Sequence, residues 1–174
     1  MLPRAFDEII PPHLDAAFNY ARWLTGNDAD AEDVVQDACV RALRFFGSRR
    51  EGDARAWLFT IVRNTWYSRV ARRVRARDAT ALEDASGDPL DVALDPEALL
   101  LQQQSVVQVR TALEQLPSEF REVLVLREIE GLSYKEIAAV MQVPIGTVMS
   151  RLARGRDRLA AALRPAPALV GRVR

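Results

Sequence analysis

"GLSYKEIAAVMQVPIGTVMSRLARGRDRL", residues 131–159, decides the fold class. Ser133 and Glu136 make an S-x-x-E capping box, which predicts that a helix starts two residues after Gly131 stops the one before it. Gln142, Val143 and Pro144 then form a tight break, and a second helix is predicted from Ile145 to Leu163. Ile145, Val148, Leu152 and Leu159 form its apolar stripe, with Gly155 leaving room for close packing on the same side. Thr147, Ser150, Arg151, Arg154 and Arg158 recur at spacings of three and four on the opposite face. Two helices around a short turn, with cations on the free face of only the second, predict a helix-turn-helix DNA reader. Arginine can bond phosphates for affinity and guanine edges for specificity, and Ser or Thr near the N-terminal end gains from the helix dipole. A charge run alone is more often a solvated face; the capping box, tight break and one-sided placement favour the DNA reader.

Working outward, "LEQLPSEFREVLVLREIEG", residues 113–131, reads as a helix that Pro117 starts, with Phe120, Val123, Leu124 and Ile129 facing inward. Residues 30–46 place Val35, Cys39, Ala42 and Phe46 on one stripe and turn Asp33, Gln36, Asp37, Arg41 and Arg44 away from it. Residues 54–74 repeat the pattern with Trp57, Leu58, Ile61, Val62, Thr65 and Trp66 inside. No stretch alternates convincingly as a strand, so the predicted class is all-α.

The charge pattern divides the chain. Net charge is zero, which argues against binding nucleic acid by total charge. Yet Arg41 to Arg77 carries eleven arginines against Glu51 and Asp53, while Asp78 to Glu97 carries seven acids and no base. The acidic stretch also holds Ser86, Gly87, Pro89 and Pro96 and follows no helical period, so it reads as a flexible linker. The predicted organisation is therefore a helical domain at 1–77, a linker at 78–96, a second helical domain at 97–164 and a short proline-broken tail at 165–174.

Composition excludes several functions. At 174 residues and 49% hydrophobic content, the chain can bury one modest core or two small ones. No apolar run approaches the roughly 18 residues of a membrane span, and the start MLPRAFDEII lacks the order of a signal peptide, so the cytoplasm is the expected compartment. Cys39 and His13 are the only residues of their kinds, which disfavours disulfides, cysteine-cluster zinc sites and histidine-based nucleophilic catalysis. Adjacent carboxylates such as Glu32 and Asp33 point about 100 degrees apart on a helix and do not converge on a metal or substrate.

"DAEDVVQDACVRALRFF" at 30–46 and "ARAWLFTIVRNTWYSRVARR" at 54–73, followed by the acidic linker and the helix-turn-helix, resemble the extracytoplasmic-function class of bacterial RNA polymerase sigma factors. The resemblance covers about residues 14–163, with the motifs in the family's order. It implies a promoter-specificity subunit without catalysis, cofactor or metal. Region two of such a protein binds the clamp coiled coil of the polymerase largest subunit and melts the minus-ten element. Region four, also expected to meet the polymerase flap, reads the minus-thirty-five element as duplex. Carried over residue by residue, Asp33, Gln36, Asp37, Val40, Arg41 and Arg44 are the expected polymerase contacts. Asn64 matches a position lining the pocket for a flipped non-template base, with Arg63, Tyr67, Arg69, Arg72 and Arg73 around the melted strand. Trp57 corresponds to a core tryptophan of the family. The minus-thirty-five set is Thr147, Met149, Ser150, Arg151, Arg154 and Arg158. The resemblance also implies an anti-sigma factor, often membrane-anchored in the family, as inhibitor.

The chain departs from the family pattern at Met149, where a cation is common, at Ala153, where a larger side chain is frequent, and in the basic loop RFFGSRREGD. The competing reading is a stand-alone helix-turn-helix transcription regulator carrying an extra helical domain.

Overall fold

In the computed structural model, which describes residues 4–49, 52–79 and 98–164, every regular element among the described residues is helical. Helices α1 (Arg4–Ile9), α2 (Leu14–Thr25), α3 (Asp28–Phe45) and α4 (Ala54–Ala79) build the N-terminal part. Helices α5 (Ala98–Glu114), α6 (Ser118–Leu124), α7 (Tyr134–Met141) and α8 (Ile145–Leu163) build the C-terminal part. The predicted linker residues from 80 to 96 and the predicted tail at 165–174 lie outside the described residues.

Local chemistry sets the joints. Gly26 takes a left-handed φ of 83° to end α2, and the Asn27 side chain then caps α3 by accepting from the Asp30 amide at 2.8 Å. The buried residues between α2, α3 and α4 include Tyr20, Ala31, Val34, Ala38, Ala42, Leu58, Phe59 and Val62, and the Tyr20 and Phe59 rings stack at 5.0 Å. This corrects the predicted α3 stripe in part: Ala42 is buried as predicted, but Val35, Cys39 and Phe46 are only half-buried, and Ala31, Val34 and Ala38 make the contact instead. Alanine-lined helices can approach closely, so the small residues, not the bulky ones beside them, make the contact. In α4, Leu58, Val62 and Thr65 are buried as predicted, Trp57, Ile61 and Trp66 are half-buried, and Phe59 joins the core.

In the C-terminal part, Pro117 stands at the N-cap of α6, which continues as a π-helical turn over Val125–Ile129. Bonds from the Glu130 amide to the Val125 carbonyl at 3.0 Å and from Leu132 to Leu126 at 2.9 Å close it. The wider turn rotates Ile129 outward to 45% exposure, against the sequence expectation, and Val125 and Leu126 fill the core instead. The capping box is formed as predicted: the Glu136 amide donates to Ser133 Oγ at 3.2 Å and the Ser133 amide donates to Glu136 Oε2 at 2.7 Å. Gln142 ends α7 at φ 56°, which makes the tight turn into α8.

Helix α8 buries Val148 and Leu152 and half-buries Leu159. Ile145, predicted to be buried, is 45% exposed because it is the first residue of the helix and lies beyond the reach of the core. Gly155 is buried against α6, where an added Cβ would stand 3.2 Å from Leu124 Cδ1 and 3.5 Å from Phe120 Cβ. Gly155→Leu is therefore expected to overpack this contact and destabilise the C-terminal part by about 1–3 kcal/mol, read as a lowered thermal midpoint. An unchanged midpoint would mean that α6 and α8 are not in close contact. The two parts are themselves joined, α4 lying against α7 and α2 against α6.

Candidate nucleic-acid interface

The second helix of the helix-turn-helix carries its predicted outer face to solvent. Met149 is 54% exposed, and Ser150, Arg154 and Arg158 are exposed beside it. Thr147 is half-buried, and its carbonyl accepts from Ser150 Oγ at 3.1 Å. Two of the arginines lean back on their own domain. Arg151 Nη2 lies 3.8 Å from Glu119 Oε2, and the Arg158 guanidinium sits 4.7 Å above the Phe120 ring. Met149, Ser150 and Arg154 thus form the freest part of the set.

Helix α4 carries the second cationic surface, and from Ala71 to Asp78 all its residues are exposed. Arg41 from α3 and Asn64, Tyr67, Arg72 and Arg75 from α4 line a groove of about 520 Å³ whose far rim is Gln142 of the helix-turn-helix. Arg41, expected at the polymerase surface, thus lies beside the predicted minus-ten residues. Arg69 and Arg73 reach across to α3: Arg69 Nη2 is 2.9 Å from Asp37 Oδ2 and its Nη1 3.6 Å from Asp33, while Arg73 Nη2 is 2.8 Å from Asp30 Oδ1. The hydrogen bond from Arg73, then that from Asn27, holds the Asp30 carboxyl below the ordinary carboxylate range. Of the predicted polymerase set, Asp33, Gln36, Val40 and Arg44 are exposed, Val40 at 52%.

Arg63 and Tyr67 face a different partner. Glu122 of α6 is 4% exposed, and among the described residues the hydrogen bonds to its carboxylate come from the N-terminal part. Tyr20 Oη donates to Oε1 at 2.6 Å, Arg63 Nε donates to the same oxygen at 2.6 Å, and Tyr67 Oη donates to Oε2 at 3.2 Å. The Arg63 guanidinium also stands 4.6 Å over the Tyr67 ring. Burial, then the adjacent Glu122 charge, pushes the Tyr20 phenol well above its ordinary value, and the same two causes raise Tyr67. Burial opposes the charge on Arg63, but its bond to Glu122 raises its pKa on balance. Sequence reading misses Glu122, Tyr20 and Gln142 as members of this surface. Glu122 lies 102 residues from Tyr20 and 59 from Arg63, so no local spacing pairs them.

Comparison with known proteins places this geometry in a family. Residues 9–76 match the model of sigma-70 region 2, and residues 107–159 match that of sigma-70 region 4. The chain is 37% identical to the ECF RNA polymerase sigma factor SigE of Mycolicibacterium smegmatis over 89% of its own length, spanning 60% of that protein. It is 37% identical to the RNA polymerase sigma-H factor of Pseudomonas aeruginosa over 93% of its length and 88% of that protein. Its fold matches the sigma factor RpoE of Bartonella quintana, solved in complex with the anti-sigma factor NepR. That match has a TM-score of 0.71 and 31% identity, covering 92% of this chain and 98% of the other.

The chain belongs to the sigma-70 family of transcription initiation factors, in its extracytoplasmic-function class. Sigma factors are non-enzymatic transcription initiation factors. No helix among the described residues is long and apolar enough to cross a membrane.

Proposed function

We propose that this chain binds core RNA polymerase in the cytoplasm and directs it to a specific set of promoters, with the domain division at 1–77, 78–96 and 97–164. The outer edge of α3, with Asp33, Gln36, Asp37, Val40, Arg41 and Arg44, contacts the clamp coiled coil of the largest subunit, and the C-terminal domain meets the flap. Helix α4 takes the melted minus-ten strand: Asn64 and Tyr67 meet an unstacked base, and Arg63, Arg69, Arg72 and Arg73 hold phosphates. Helix α8 enters the major groove of the minus-thirty-five duplex with Thr147, Met149, Ser150, Arg151, Arg154 and Arg158. An anti-sigma factor is the expected inhibitor, as in the NepR complex of the Bartonella quintana protein.

The observation that carries this reading is the free face of α8, where Met149, Ser150 and Arg154 stand exposed on a helix braced from behind by Val148, Leu152 and Gly155. A rigid helix with a cationic outer face fits the major groove, and phosphate contacts fix its register. The test is transcription by purified core polymerase and this chain on a randomised promoter library, with the transcripts sequenced. Enrichment of two spaced elements supports the reading. Tight sequence-specific duplex binding by the chain alone, with no affinity for polymerase, would instead identify a stand-alone regulator.

Met149 is the sharpest specificity test within α8. Met149→Arg adds a cation at an exposed position and is expected to change the enriched minus-thirty-five sequence while leaving polymerase binding unchanged. Identical enrichment would remove Met149 from the DNA-facing set.

A further inference from the structure

The carboxylate of Glu122 occupies Arg63 and Tyr67, two of the residues assigned above to the melted strand. From these contacts we infer that Glu122 is a latch that closes the free protein, holding the C-terminal domain over the strand-reading helix until DNA or polymerase displaces it. The inference rests on the reading of α4 as the minus-ten surface.

Three features support a latch over an ordinary interior ion pair. Glu122 belongs to one sigma region and its donors Tyr20, Arg63 and Tyr67 to the other, so these bonds exist only while the two are docked. Its chemistry also matches the ligand it displaces, because an arginine that binds a carboxylate through its nitrogens binds a phosphate oxygen in the same way. A buried ion pair, finally, is costly to break by removing one partner, because the other charge is left uncompensated, so closure depends on Arg63 keeping an anionic partner. A competing polyanion that supplies Arg63 with another partner can therefore shift the equilibrium.

A second contact marks the same boundary and behaves differently. The Asn19 side chain donates to Glu130 Oε1 at 3.1 Å, and the Arg55 guanidinium donates to the Glu130 carbonyl. Glu130 is buried, and burial raises its carboxyl above the ordinary range. An amide in its place keeps the acceptor for Asn19 and removes the cost of burying a charge. Glu130→Gln should therefore tighten closure, whereas Glu122→Gln should loosen it, although both replace an acid by its isostere.

The experiment uses the full-length chain in two measurements. Small-angle X-ray scattering reports domain separation, and fluorescence anisotropy reports binding of a labelled mixed-sequence single-stranded DNA. For Glu122→Gln the radius of gyration should rise and the strand should bind about tenfold more tightly, as expected if the open form is about a tenth or less of the wild-type population. Tyr20→Phe, which removes one donor and keeps the ring stacked on Phe59, should shift both readouts the same way by a smaller amount. Glu130→Gln should leave the chain compact and bind the strand no better than wild type. Unchanged dimensions in both Glu122→Gln and Tyr20→Phe overturn the latch. Expansion without tighter strand binding supports the latch as a closing device and overturns the assignment of Arg63 and Tyr67 to the melted strand.

Discussion

Arg154→Ala is expected to lower initiation from a cognate promoter by about ten- to a hundredfold, corresponding to about 1–3 kcal/mol for one good contact to a base edge. Arg154 is exposed on the outer face of α8, next to Met149 and Ser150, and is not tied to Glu119 or Phe120 as Arg151 and Arg158 are. Its loss therefore removes a DNA contact with little change to the fold, and the thermal midpoint should stay near that of the wild type. Arg158→Ala is the internal comparison. Its guanidinium covers the Phe120 ring, so substitution should cost some packing and less promoter selectivity. The check is run-off transcription on promoters with intact and scrambled minus-thirty-five elements. If Arg154→Ala reduces transcription equally on both, the residue is not reading that element.

Replacing Arg69, Arg72 and Arg73 together by alanine should have an effect of similar or greater size on promoter opening, with a different signature. Each phosphate contact to a single strand contributes about 0.7 to the slope of log affinity against log salt, so the triple variant should flatten that slope by about 2. Two of the three arginines also clasp α3 through Asp30, Asp33 and Asp37. Exposed pairs of this kind contribute only about 0–1 kcal/mol each, so a modest fall in stability is expected alongside the loss of opening. The salt slope separates the two roles. A destabilised variant with an unchanged slope would assign these arginines to bracing α3 against α4 and not to DNA.

Much of this architecture is legible in the sequence because its strongest signals are local. Ser133 and Glu136 form the capping box that their spacing predicts, and α8 has the predicted bounds Ile145–Leu163. Gly155 packs against Leu124 as its place in the apolar stripe suggests. The errors also have physical causes. In α3, Val35, Cys39 and Phe46 outweigh alanine on any hydrophobicity count, yet close helix packing selects Ala31, Val34 and Ala38 beside the predicted Ala42. Ile129 turns outward because the π turn inserts an extra residue into the helical period, and nothing in VLREI announces that turn.

The interdomain surface is the least legible feature. Glu122 in FREVLVL has the spacing of any charged helix residue, and its burial depends on Tyr20, Arg63 and Tyr67, which are remote in sequence. The same contact changes the meaning of two assigned site residues. Arg63 and Tyr67 fit a strand-binding surface by resemblance, while in the closed chain they hold a carboxylate.

The central claim is that this chain opens promoter DNA only as part of the polymerase holoenzyme, and permanganate reactivity of unpaired thymines measures that directly. On a promoter recovered from the library, thymines in the minus-ten element should become reactive when core polymerase and the chain are both present, and stay unreactive with either alone. Protection of duplex DNA by the chain alone, with no reactive thymines when polymerase is added, would contradict the account.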